Sequence, residues 1–518
     1  VFWADRHAHA IIKRFGKRTN PLIIRDEKTA SGRVHIGSMR GVAIHGTMAS
    51  VVENTKFLFE INDFDPMDSI PAELDVNVWQ EHLGKPLNAV PSPDGSSKNF
   101  AEYYADEFKG VIADTGYSPT YSLASDLYKD GKMNEVIRIA LDAAQAIRKI
   151  YKDVSRSEKA EEWLPISMIC EKCSKIGTTQ GYTWDGKKVS YRCTEGPGGA
   201  KGCGHEGVRE PWDGKAKLPW KVEWPAKWKV VGVDIEGAGK DHSTKGGARE
   251  IADTIAKEVF HIESPYDIPY EFFLDKDGKK MSSSKGRGVS SREIAENFPP
   301  ILLRLALIGK EPQVQTSLDP SSELLALLYD WHDRIAEKHW SGVGDDEARL
   351  FEILYFGKPP GKMYYPRFST VVFIAQMPHL DINEEFGVLK GASLTNEEKK
   401  ELSVRIEYTK RWLASYAPKK YRFILATDTV PEGVKNFSNT QKDALKQILA
   451  YVEANESLGG ATFHAKLHEI KESMGIAPKD LFSALYVSFL GRDSGPQAGW
   501  FLSTLDREFL IRRLREVL

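Results

Sequence analysis

Four cysteines, one acidic loop and two basic or glycine-bearing turns are the stretches of this 518-residue sequence whose residue types and spacing could do chemistry. Cys170 and Cys173 form a C-x2-C knuckle, and Cys193 and Cys203 follow within the same short window. Such a knuckle brings two thiolates to one ion, and two more thiolates complete a tetrahedral zinc site with no open position, which is a structural role. His205 is a rival for the fourth place. A disulfide scaffold is not expected in a large chain without an export signal. Asn62-Asp63-Phe64-Asp65-Pro66-Met67-Asp68 crowds three carboxylates into one loop and is a candidate for holding a cationic substrate, although Asp and Asn are also ordinary turn formers. The small-residue turn Thr29-Ala30-Ser31-Gly32 lets a ligand approach the backbone ahead of a helix whose free N–H groups suit an anion. Lys280-Met281-Ser282-Ser283-Ser284-Lys285-Gly286 reads either as a solvated basic loop or as a phosphate contact.

These groups need elements to aim them. Pro21 to Arg25 reads as a buried parallel strand, His35 to Val52 as a helix and Thr55 to Ile61 as the second strand of a βαβ unit. Ligands of open α/β sheets bind at the carboxyl edge of the strands, where the acidic loop falls. Residues 1 to 20 read as an amphipathic lead-in helix, and Ser97 to Asp114 and Lys132 to Lys152 as helices interrupting the sheet pattern. That pattern resumes at Lys229 to Ile235, before Gly239-Lys240-Asp241-His242 and a helix from Ser243 to Val259, and Tyr270 to Leu274 is strand-like. Ser290-Ser291-Arg292-Glu293 reads as a capping box, and Thr395 and Glu398 stand in the same register. Past residue 300, helical stripes take over at Ser321 to His339, Thr395 to Tyr416, Asn439 to Asn455, Thr462 to Met474 and Pro478 to Leu490.

Composition bounds the partners. With 71 basic against 73 acidic residues the net charge is −2, so a polyanion would need local basic patches. No apolar run is long enough to span a bilayer and the start lacks the pattern of a signal peptide, so a cytoplasmic protein without a membrane partner is expected.

Taken together, H-I-G-S at His35 to Ser38 and K-M-S-S-S at Lys280 to Ser284 resemble the two nucleotide-binding signatures of class I aminoacyl-tRNA synthetases, H-I-G-H and K-M-S-K-S. The chain departs at Ser38 and Ser283, and Lys280 and Lys285 flank the missing charge. Gly239-Lys240-Asp241-His242 is similar to the adenosine-contacting element of that class. Phe2-Trp3-Ala4-Asp5 and Val222 to Trp228 resemble class I lysyl-tRNA synthetases in particular, and the helical end resembles the anticodon-binding region shared with glutamyl enzymes.

The resemblance implies an α/β fold: a Rossmann-like catalytic domain with a zinc-bearing insertion, then an all-α anticodon-binding region. The implied divisions are 1–74 and 229–295 for the two catalytic halves, 75–228 for the insertion with its zinc module near 165–210, 296–370 for a helical stem-contact region and 371–518 for anticodon binding. The implied activity joins lysine to tRNA(Lys) through a lysyl-adenylate, using ATP with Mg, in a monomer. Implied roles are catalysis by His35, Lys280 and Lys285, and ATP binding by Thr29, Ser31, Gly32, His35, Gly37, Ser38, Gly239, Asp241, His242, Lys280, Met281, Ser282 and Ser283. Lysine would meet Glu27 or Asp63, with Trp224 and Tyr270 along its stem. Arg492, Arg507 and Arg512 are the implied tRNA contacts, although arginines on a terminal helix are more often a solvated face. The alternatives are a glutamyl-type enzyme with a pocket built from Arg25 and Arg33, and a catalytically silent RNA-binding paralogue or nucleotidyltransferase.

Overall fold

A computed structural model describes residues 1–518 except 272, 275–276, 279–288 and 378–379. Strands β1 (Leu22–Thr29), β2 (Thr55–Asn62) and β3 (Thr120–Leu123) run parallel in that order, with Arg25 opposite Leu58 and Thr29 opposite Asn62. On the other side of β1, single parallel bridges join Ile24 to Ile235, Ile235 to Tyr266 and Gly239 to Tyr270. Backbone bonds from Arg25 N–H to the Ile235 carbonyl (3.0 Å) and from Tyr270 N–H to the Ala238 carbonyl (3.1 Å) carry the sheet across. The chain therefore winds outward from β1 in both directions, and the reversal beside β1 is the switch point at which open α/β sheets bind ligands.

Helix α1 (Trp3–Phe15) precedes β1, and α2 (Met39–Val51) makes the crossover to β2. Every residue from Met39 to Met48 is buried, as expected of a helix between a sheet and other helices. A short 3-10 turn, Ile36–Ser38, leads into α2, so its first regular turn starts four residues after His35. The expected strand at Lys229 to Ile235 is corrected: helix α3 (Trp220–Val231) runs through most of it and ends at Gly232 in the left-handed region, φ 73° and ψ 48°. Trp220, Trp224 and Trp228 recur at helical spacing, and that stripe carries Val231 with it until the glycine stops the helix. A short apolar run such as V-V-G-V does not distinguish strand from helix end. Likewise the single helix expected at Lys132 to Lys152 is two, Asn134–Asp142 and Ala144–Ser155, and the expected helix from Ser243 is a short turn, Lys240–Ser243, followed by α4 (Ala248–Glu258).

The described chain forms two compact units. The first comprises Val1–Asp319 and Trp331–Gly361, and the second Pro320–Asp330 and Lys362–Leu518. In the second, Asn439–Ala454, Gly460–Met474, Pro478–Leu490 and Arg507–Glu516 close on a core that includes Leu445, Phe463, Leu485, Phe489 and Leu514. Pro478 begins its helix and Gly491, at φ 66°, ends it, the usual asymmetry of helix termini. Asn396–Ser415 opens with the expected capping box, in which Thr395 and Glu398 each satisfy the other's backbone N–H. Glu398 also accepts from Lys390 (2.6 Å) and from Tyr364 N–H (2.9 Å). No described helix is long and apolar enough to cross a membrane.

Glu398 therefore does more than cap. Thr395→Ala should cost the second unit about 1 kcal/mol, and Glu398→Ala about 2 kcal/mol or more because several donors lose their acceptor. Thermal unfolding of the two variants should show this order, and equal effects would reduce Glu398 to a simple cap.

Candidate active site at the carboxyl edge of the sheet

The chain that follows the basic stretch runs against the first signature. His35 pairs with Ser290 in an antiparallel bridge, Ile36 N–H reaches the Val289 carbonyl (3.3 Å) and Ser291 N–H the Val34 carbonyl (2.9 Å). On the other flank, the Arg40 guanidinium lies over the Phe273 ring, 4.9 Å from its centre. Described residues before and after the basic stretch, Phe273 and Val289 to Ser291, thus lie beside the start of α2. Lys280, Met281, Ser282, Ser283 and Lys285 themselves lie outside the described residues. Gly37 has a local reason for its identity, since a Cβ there would sit 2.8 Å from the His35 ring. Gly239 caps the turn Lys240–Ser243, Lys240 pairs with Glu271 at 2.6 Å, and the His242 ring stands 4.9 Å from Trp220. A cavity of about 150 Å³ opens there between Lys240, Ser243, Thr244, Tyr270 and Glu271.

Beneath this edge lies a buried ionic network. Arg25, on β1, is 1% exposed and reaches Glu27 (2.5 Å), Glu236 (2.7 Å) and Glu60 (3.2 Å). Lys227, on α3, is fully buried and faces Glu60 (2.5 Å), Glu223 (3.3 Å) and Glu27 (3.4 Å). Lys217 lies between Glu223 (2.5 Å) and Asp65 (3.0 Å). Tyr128 donates to Glu223 at 2.6 Å, and the Trp224 and Trp228 indoles donate to the two oxygens of Glu236 at 3.0 and 2.8 Å. Burial opposes the charged form of Glu27 and of Glu223, but neighbouring cations outweigh it and hold both carboxyls below their usual range. Burial likewise opposes the charge of Lys227, and its three carboxylates overcome that and raise it. Glu236 goes the other way, its burial pushing the carboxyl up.

A cavity of about 380 Å³ opens above the network. Its wall includes Thr29, Ser31, Asp65, Asp68, Lys217 and Trp220. Asp65 accepts from the Thr29 hydroxyl (2.7 Å) on one oxygen and from Lys217 (3.0 Å) on the other, and it retains lone pairs toward the cavity. Trp220 stacks on Trp224 at 5.5 Å and 17°, so Trp220 supplies the aromatic wall and Trp224 backs it. Asp63 has a different task from the one expected of it: its carboxylate accepts from Ser125 N–H (2.8 Å), the Ser125 hydroxyl (2.6 Å) and Asn88 (3.3 Å), which fixes the loop. Glu27 contacts internal cations, as above. Tyr270 is half-buried, and a Cβ on Gly41 would meet its hydroxyl at 2.8 Å. Burial, with Asp26 and Asp241 near, pushes its phenol well above the usual value. Arg25 is enclosed by carboxylates, and Arg33 is a surface residue 3.6 Å from Glu107.

The four cysteines converge, with all ligand atoms within 4.8 Å of one another. Cys170 and Cys203 are 3.6 Å apart, as are Cys173 and Cys193. A tetrahedral zinc with bonds of about 2.3 Å would separate its sulfurs by about 3.8 Å, so the set fits the ion. The wide loop from Cys193 to Cys203 closes as a hairpin, with Glu195 paired to Lys201 and Gly198 and Gly199 at φ 69° and 81°. Among the described residues the cluster contains the four cysteines and not His205, whose ring faces Tyr191.

Arg492, Arg507 and Arg512 all donate within the helical unit itself. Arg507 donates to the Val452 and Glu453 carbonyls (both 3.1 Å) at the end of one helix, and Arg492 donates to the Arg422 carbonyl. Arg512 is exposed and donates to the Thr427 carbonyl (3.3 Å). Sequence reasoning missed Lys217, Lys227, Glu60, Glu236 and Tyr128. The available signal was a Glu and a Lys four apart, Glu223 and Lys227, inside a tryptophan-striped helix.

A family model described as "tRNA synthetases class I (K)" matches residues 1–354, and one described as an anticodon binding domain matches 416–518. A lysine-tRNA ligase from Methanosarcina barkeri (strain Fusaro / DSM 804) is 32% identical over 543 residues, covering 100% of this chain and 97% of the relative. One from Pyrococcus furiosus (strain ATCC 43587 / DSM 3638 / JCM 8422 / Vc1) is 32% identical over 535 residues, covering 99% of each. The structure of a glutamate tRNA ligase from Elizabethkingia meningosepticum has a TM-score of 0.44 at 10% identity, covering 96% of this chain and 99% of that one.

Removing Lys227 leaves three buried carboxylates without their shared cation. Lys227→Met should therefore destabilise the first unit by about 3–5 kcal/mol. Exposed Arg138, paired with Asp142, should cost less than about 1 kcal/mol on removal. Denaturant unfolding of both variants compares them, and similar midpoints would mean that the network does not hold the sheet.

Proposed function

Because this chain belongs to the class I (K) tRNA synthetase family, we propose that it is a lysine-tRNA ligase that activates lysine with ATP and transfers it to tRNA(Lys). In the first step the lysine carboxylate attacks the α-phosphorus, an O–P bond forms, and the bond to pyrophosphate breaks. In the second, the terminal ribose hydroxyl of the tRNA attacks the adenylate carbonyl and AMP leaves. Both steps need positioning and stabilised negative charge more than covalent help from the protein. The observation that carries the reading is the pairing of His35 with Ser290, which supports the two nucleotide signatures acting on one ligand. His35 and the N–H groups at the start of α2 would hold the phosphates of Mg-bound ATP from one side, with Lys280 and Lys285 on the other. Thr29, Ser31, Gly32, Gly37 and Ser38 would bind ATP together with Met281, Ser282 and Ser283, and Gly239, Asp241 and His242 would receive the adenosine.

For the amino acid, the 380 Å³ cavity supports Asp65 as the carboxylate facing an ammonium, with Trp220 along the aliphatic stem. Glu27 then acts through Arg25 and Lys227, and Trp224 through Trp220. Tyr270 belongs to the adenosine side of the site. Within this reading, 229–295 completes the catalytic domain begun at 1–74, 75–228 is the insertion, 296–370 meets the tRNA stem and 371–518 reads the anticodon, with Arg512 outermost. The enzyme would work as a cytoplasmic monomer, with one structural zinc on Cys170, Cys173, Cys193 and Cys203.

ATP–pyrophosphate exchange should proceed with lysine and not with glutamate, and should not require tRNA. Losing a charge-assisted contact of about 2 kcal/mol, Asp65→Asn should raise the lysine KM roughly thirtyfold while moving the ATP KM little. Exchange supported by glutamate alone would end the lysyl reading, and an unchanged lysine KM would remove Asp65 from the pocket.

The metal assignment makes a separate prediction. Elemental analysis should find one zinc per chain, retained in His205→Ala and lost in Cys203→Ser. Zinc lost from the histidine variant would overturn the four-cysteine set.

A further inference from the structure

The cysteine hairpin touches the acidic loop of the cavity through its main chain. A Cβ on Gly198 would lie 1.8 Å from the Asp68 carbonyl oxygen, so only glycine allows the hairpin tip to rest there. A Cβ on Gly177 would meet Pro66 at 2.7 Å, and one on Gly196 would meet the Gly177 carbonyl at 2.3 Å. Hydrogen bonds complete the seam. Ile176 and Gly177 N–H both reach the Gly84 carbonyl (2.7 and 2.9 Å), and Gly84 N–H reaches the Met67 carbonyl (2.8 Å). Met67 N–H in turn reaches the Lys85 carbonyl (2.8 Å), and Leu87 N–H the Asp65 carbonyl (2.9 Å). The path from the cysteine knuckle to Asp65 and Asp68 is thus an unbroken run of backbone contacts, and Ile176, Gly177, Asp65 and Asp68 line the same cavity.

We propose that the cysteine hairpin is a positioning element of the amino-acid pocket, with Gly198 as the residue whose missing side chain sets where the Asp65–Asp68 loop stands. The inference rests on the lysine pocket described above and adds what holds its acidic wall. A displacement of about 1 Å of a positioning group can cost on the order of a hundredfold in rate.

Gly199 provides a matched control. It also has positive φ, at 81°, but a Cβ there meets nothing within 4 Å. Gly198→Ala and Gly199→Ala therefore share the backbone strain and differ in the clash with Asp68. The test measures lysine and ATP KM by exchange, together with metal content and melting temperature. Gly198→Ala is expected to raise the lysine KM roughly tenfold or more, with the ATP KM and the metal content unchanged, while Gly199→Ala stays near wild type in all four. Equal lysine KM in the two variants would overturn the proposal. If Gly198→Ala does not fold, Gly177→Ala presses the same loop through Pro66, and a wild-type lysine KM in that variant would overturn it equally. A wild-type protein that does not activate lysine at all would instead defeat the pocket reading.

Discussion

The structure depends on putting an arginine, two lysines and five carboxylates under the carboxyl edge of a parallel sheet without leaving any one of them alone. A single buried charge costs several kcal/mol, so each member requires the others. Arg25 comes from β1, Glu60 from β2, Glu236 from the strand beyond β1, and Glu223 and Lys227 from α3. Because these elements are distant in sequence, the network fixes their mutual register as well as their contact. The tryptophans of α3 have the same double duty, burying apolar surface with their rings and donating to Glu236 with their N–H groups.

Function sits where that rigid base meets loops. Thr29 and Asp65 stand above the network, and each is tied to it, Asp65 through Lys217 and Thr29 through Asp65. A carboxylate held on both oxygens by fixed donors keeps its orientation, which the proposed site for a flexible cation would need. The cysteine module adds the opposite wall, and its core residues Ile166, Met168 and Ile176 pack in one cluster with Phe64 and Tyr128. Its attachment is hydrophobic as well as hydrogen-bonded.

What could be read from the sequence was what is local. The cysteine knuckle, the two nucleotide signatures and the Thr395 capping box each depend on spacing over a few residues, and the structure has the four cysteines together and the capping box formed. Asp63 and Asp65 show the limit. They are two apart in one loop and indistinguishable by type, yet Asp63 is turned onto Ser125 and Asp65 onto the cavity. Lys217 and Lys227 were illegible for a related reason: a lysine is ordinarily a surface residue, and only partners far along the chain make burial tolerable. Arg507 shows the limit in the reverse sense, since a terminal arginine satisfies the carbonyls at the end of a neighbouring helix as readily as it binds a phosphate.

The charge count bears on selectivity. Three cations, Arg25, Lys217 and Lys227, face five carboxylates, Glu27, Glu60, Glu223, Glu236 and Asp65. Among these groups the edge is short of positive charge. In the proposed pocket an incoming ammonium would supply it, next to Asp65 and with Asp68 also on the cavity wall. A substrate carboxylate of similar length would meet those same two groups with the wrong sign, and the nearest internal cation, Lys217, is already bound by Glu223 and Asp65. Discrimination between a cationic and an anionic side chain then comes from repulsion as much as attraction. The proposed pocket would need no dedicated steric filter for that choice, because the network that holds the sheet together would set its sign.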